Sequence, residues 1–119
     1  MNANSWPTDV WPPERPGWED TAVAWLFNWV APELRGIKAF ARHPLLLSHV
    51  VVADITAIVD GHRRAYATAR TTLAAAVGPE SISVCLAALA ADAARWNVRL
   101  RQAQEIHARL ALGGVRLAS

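Results

Sequence analysis

Two apolar rows dominate the chain, and both advance by alternating steps of three and four. The first is Leu45, Ser48, Val52, Ile55, Val59, His62, Tyr66, Ala69, Leu73 and Ala76; the second is Ile82, Leu86, Leu89, Ala93, Trp96, Leu100, Ala103, His107 and Leu110. Steps of three and four keep to one face of an α-helix, and their alternation is the seam spacing of helices that pack lengthwise. The pattern predicts helices over about 45–77 and 79–112. Gly78-Pro79 separates them, glycine suiting a helix end and proline the first turn of the next. A connection this short makes its two helices antiparallel neighbours. The predicted fold is therefore all-α, built on a long antiparallel helical hairpin. The turn alone sets Gly61 opposite Trp96, Asp60 near Arg99, and Asp92 near Arg63 or Arg70.

A second row, Leu47, Val51 and Ile58, makes the first half of the hairpin apolar on two faces. The chain before it supplies cover. Trp18, Ala22, Trp25 and Trp29 share one face of a helix predicted over 18–30, and Val23, Leu26, Phe27 and Val30 extend its apolar surface nearly all round. A helix of that kind is buried on most sides. Pro32 opens a second short helix to Arg42, with Leu34, Ile37, Phe40 and Ala41 inward. Both should pack along the hairpin. Residues 1–17 hold Pro7, Pro12, Pro13 and Pro16 with Trp6 and Trp11 between them. That density of proline excludes helix and favours an extended, polyproline-like arm, whose indoles are expected to dock on this chain or a neighbour. Gly113-Gly114 should end the last helix. The expected organisation is an arm over 1–17, one helical domain over 18–112 and a C-terminal tail over 113–119.

Composition changes this picture in one respect. The chain is 53% hydrophobic, but much of that is alanine, which buries little area per residue. The core is thin for its length, so help from a second copy is expected. The net charge of +2 is too small to imply nucleic acid. It is unevenly spread: residues 1–33 carry Asp9, Glu14, Glu19, Asp20 and Glu33 against Arg15, a net of −4, leaving +6 for residues 34–119. Lys38 is the one lysine, and this arginine and alanine bias suggests a bacterial source. The single cysteine, Cys85, has no internal partner and lies in an apolar run, where a buried thiol is expected. A reducing cytoplasm fits. No basic region followed by an apolar run opens the chain, so no secretory signal is expected. The most apolar stretch, Leu45 to Val59, covers fifteen residues, short of the roughly twenty needed to cross a bilayer.

Candidate chemistry is sparse. His49, Asp54, Glu105 and His107 fall near the open end of the hairpin, but Glu105 and His107 are two positions apart and diverge on a helix. No metal and no cofactor is expected. Asp60, His62 and Arg64 concentrate polar groups in mid-helix with no nucleophile beside them, so no enzyme is expected either. The leading expectation is a non-enzymatic protein–protein interaction module, homodimeric, contacting a protein partner through Trp6, Trp11, Trp18, Trp25 and Trp29 and the apolar face of the hairpin, since tryptophan is favoured where binding energy concentrates. One alternative is a nucleic-acid-associated regulator, with Arg95, Arg99, Arg101 and Arg109 tracking phosphates along the last helix, although Asp92 and Glu105 interrupt that stripe. The other is a bundle that holds a small molecule or metal.

Overall fold

The structure, a computed structural model, describes residues 5–118 and their side chains as far as Gly113. The regular elements among the described residues are all helical, and the fold is all-α. Helix α1 spans Trp18–Phe27, α2 Lys38–Arg42, α3 Pro44–Thr68, α4 Ala74–Val77 and α5 Pro79–Ala118. A π-helical turn, Ala69–Leu73, joins α3 to α4 without a break. Within it the Thr71 hydroxyl donates to the Ala67 carbonyl at 2.7 Å, a side-chain bond that competes with regular backbone pairing.

Residues 5–17 do not run extended. They fold through successive turns closed by Val10 N–H to the Pro7 carbonyl (3.2 Å) and Arg15 N–H to the Pro12 carbonyl (2.9 Å). Pro13 and Pro16 stand second in the turns that Pro12 and Arg15 open, the position that uses proline's fixed φ, so proline density here makes bends and not polyproline helix. The arm ends at Gly17, whose φ of 85° caps α1 from the left-handed region. An L side chain rarely adopts that angle. The α1 face carrying Trp18, Ala22 and Trp25 is buried, as the 4-3 spacing predicts, together with Leu26. The helix stops at Phe27 and the chain turns through Asn28 and Trp29.

The expected helix over 32–42 is two pieces. Pro32–Leu34 is a 3-10 turn, and Ile37 is extended at φ −86° and ψ 104° before α2 begins. Gly36 is the weak link, since glycine in a helix interior costs about 1 kcal/mol relative to alanine. Ile37, expected inside, is exposed.

Helix α3 buries Leu47, Ser48, Val51, Ile55 and Val59, beneath α1 and against Ala103 and Ile106 of α5. Two hydrogen bonds join α3 to α5: Ser48 Oγ lies 2.7 Å from His107 Nδ1, and His62 Nε2 lies 2.7 Å from Asp92 Oδ2. Early residues of α3 therefore meet late residues of α5, each α5 partner two or three positions earlier than the turn alone predicts. That offset overturns two expected neighbours, Gly61 with Trp96 and Asp60 with Arg99, and Asp92 forms no ion pair with Arg63 or Arg70 among the described residues. A Cβ at Gly61 meets nothing within 4 Å, so the glycine makes no room for Trp96. Asp60 pairs with Arg63 at 3.9 Å, and Asp92 pairs with His62 and with Arg95 at 3.0 Å. At the turn, Gly78 takes φ 95° and closes α4, and its carbonyl accepts the first α5 bond, from Ile82 N–H.

Two further expectations fail. Cys85 is exposed, because its side of α5 faces no other element. Helix α5 continues through Gly113-Gly114 to Ala118. Gly113 does not take a positive φ, and a glycine that stays helical weakens a helix without ending it.

Candidate interaction surfaces

The tryptophans are spent largely on the fold. Trp18 and Trp25 are buried in the core. Trp6 packs on Trp18 with ring centroids 5.7 Å apart, and its indole N–H donates to the Val10 carbonyl at 3.0 Å. Trp29 lies edge-on to Trp25 (5.9 Å) and to Trp96 (5.7 Å), and its Nε1 is buried without an acceptor among the described residues. Trp11 is the exposed one, with the Arg15 guanidinium 3.5 Å above its ring. Of the five indoles expected to meet a partner, Trp11 alone is exposed.

The arginines are similarly divided. Arg95 is tied to Asp92. The Arg99 guanidinium sits 4.4 Å from the Trp29 ring and 4.6 Å from the Trp96 ring, a cation over two aromatic faces. Arg101 is exposed, while Arg109 is half-buried at the opposite end of the pair from Gly78. The four do not form one stripe of free cations.

The histidines form two separate arrangements. Ser48 and His107 have the partners of a nucleophile and base, but Ser48 has no exposed surface and donates its hydroxyl proton to the Leu45 carbonyl at 2.9 Å. The His107 Nδ1–H then donates to Oγ, the reverse of the transfer a base performs. Burial, and then the neighbouring His49, hold His107 below the usual imidazole range. The His49 and His107 rings are 6.2 Å apart. Asp54 and Glu105 do not join them, and no group of metal-ligating side chains occurs among the described residues. The second arrangement is His62. Its Nε2 meets Asp92 and its Nδ1 meets the Ile58 carbonyl at 3.0 Å. The bond to Asp92, followed by that carbonyl, raises its pKa against the opposing effect of burial.

The feature that sequence reasoning missed is the far half of the helical pair. No residue from 60 to 102 is buried. The seam positions Tyr66, Ile82, Leu86 and Leu89 are half-covered, while Leu73, Val77 and Val84 are exposed, Val84 to 71%. A signal was present: from Thr71 to Ala91 the one charged residue is Glu80. The apolar half expected to need cover, Leu45–Val59, packs beneath the N-terminal segment as its two apolar faces require, although Leu45 and Leu46 stay exposed. Pro44–Val77 forms one helical run long and apolar enough, by length and composition, to cross a membrane.

No family model, no curated protein and no solved structure matches the chain.

Proposed function

We propose that this chain is a non-enzymatic helical interaction module that acts as a homodimer. Its scaffold is an antiparallel helical hairpin, α3 to α4 against α5, stiffened at the open end by α1 and the arm. Two copies associate through the distal halves, around Leu73, Val77, Val84, Leu86 and Leu89. The observation that carries this reading is the apolar, nearly uncharged stretch around Gly78 in which no side chain is buried. Apolar surface left in water forgoes about 25 cal/mol for each Å², and contiguous apolar surface on a small protein supports an interaction site.

The exposed area leaves room for a partner, and a second copy presents the same unfilled seam. The chain exposes 7665 Å², whereas a compact monomer of 12.9 kDa exposes about 6,300 Å². The excess, about 1,400 Å², exceeds the roughly 800 Å² that one partner loses in a standard interface. Pairing two helical hairpins yields a four-helix core, in which each seam gains the second layer it lacks. The tryptophan-rich segment contributes from inside by holding the open end, and Trp11 is the indole it offers outward.

Sedimentation equilibrium should give a dimer. Val77→Glu with Val84→Glu, both at exposed positions, should give a monomer with helical circular dichroism unchanged. A wild-type chain that stays monomeric up to near-millimolar concentration would falsify the proposal. A dimer that survives both substitutions places the interface elsewhere and overturns it equally.

A further inference from the structure

The open end of the helical pair, opposite Gly78, contains a cleft of about 500 Å³, within the size range of small-molecule sites. Three parts of the chain build it. The arm and α1 supply Pro13, Trp18 and Glu19; the junction of α2 and α3 supplies Arg42, His43, Pro44 and Leu45; the end of α5 supplies Arg109, Leu110 and Leu112. Its walls are therefore mostly apolar, and two arginines stand among them. Neither Arg42 nor Arg109 is ion-paired among the described residues. Arg109 is half-buried, so its charge meets less screening than a fully exposed one. Among the described residues that line it, the single opposing charge is Glu19, which leaves that lining at a net positive charge.

An apolar hollow rimmed by unpaired guanidiniums is complementary to one ligand chemistry. The tail must be apolar to replace water against Trp18, Leu45 and Leu110. The head must be an anion able to accept two N–H bonds in one plane, as a carboxylate does from guanidinium. We propose that this cleft binds a small monocarboxylate with an apolar tail, held by Arg42 and Arg109 at its head and by the Trp18–Leu110 wall along its tail. The site shares no residue with the distal half and does not depend on dimer formation.

Octanoate is a suitable probe, with octanol and octylamine as its neutral and cationic counterparts. Amide shifts in NMR titration should map to Arg42–Leu45 and Arg109–Leu112. Octanoate should bind at least tenfold more tightly than either counterpart. Arg42→Gln and Arg109→Gln should each weaken it three- to tenfold. Glu19→Gln should strengthen it about two- to threefold, a gain that damage to the fold would not produce. The Val77→Glu, Val84→Glu chain should bind octanoate as the wild type does, which separates this site from the interface. Octanol binding as tightly as octanoate would overturn the proposal, as would shifts confined to residues 66–89 or a Glu19→Gln affinity no higher than wild type.

Discussion

His62 is the residue whose chemistry is most exactly set by its neighbours' geometry: both ring nitrogens face acceptors, the Asp92 carboxylate and the Ile58 carbonyl. Only the imidazolium can donate at both, so the charged form is favoured and the pKa rises above 6.5. Asp92 moves the other way, below 3.8, through its bond to His62 and then through Arg95. The stabilisation from a raised histidine is complete below its unfolded pKa and is lost as pH climbs through the folded one. The stabilisation from a lowered carboxylate is present above its unfolded pKa and is lost as pH falls through the folded one. The contact therefore contributes most between about pH 4 and pH 6.5. Comparison of thermal midpoints for the wild type and His62→Gln should show a gap that is widest near pH 5 to 6 and narrower at pH 9. A gap that widens with rising pH would contradict the assignment. The His62 ring titration followed by NMR should also fall toward the ordinary imidazole value in Asp92→Asn.

At the scale of the element, the 4-3 rows made both long helices legible, because apolar spacing reports directly on which face is sheltered. Every α5 seam residue from Ile82 to Leu110 is sheltered in part or whole. Register was less legible, since a turn fixes direction while side-chain pairs such as Ser48 with His107 fix the offset. Ile106, fully buried beside Ala103, lies off the seam row; α1 and the arm add cover there that the two long helices alone do not predict. The tryptophans were legible as important, yet residue type does not distinguish an indole that packs inward, such as Trp25, from one that meets a partner. Gly61 shows the cost of the misplaced register. Its position is helical, and an added Cβ finds open space. Gly61→Ala should therefore stabilise the chain by about 0.5–1 kcal/mol, raising the thermal midpoint by about 2–8 °C for a domain of this size. A fall in the midpoint would mean that the added methyl meets a neighbouring side chain after all.

The whole molecule is lopsided, measuring 58 × 31 × 23 Å, with burial concentrated at one end. Around Leu47, Val51, Ile55, Ala103 and Ile106 the side chains are fully covered, while the turn end has two helices, small residues and water on both outer faces. Local opening free energy follows buried apolar contact, so the two ends should differ in hydrogen exchange. In dilute solution, amides in Leu47–Val59 and near Ala103–Ile106 should exchange only through global unfolding. Amides in 66–76 and 82–92 should exchange orders of magnitude faster, by local opening of the turn end. Self-association acts on both populations, because the dimer must dissociate before the distal halves open or the whole chain unfolds. If a second copy covers the distal halves, protection there must rise with protein concentration, by RT ln(1 + [L]/Kd) in free energy, or about 2.7 kcal/mol at a hundredfold excess over Kd. Open-end amides that exchange by global unfolding should gain the same increment, since unfolding also requires the dimer to dissociate. Protection at the turn end that ignores concentration would remove the second copy from the distal face altogether.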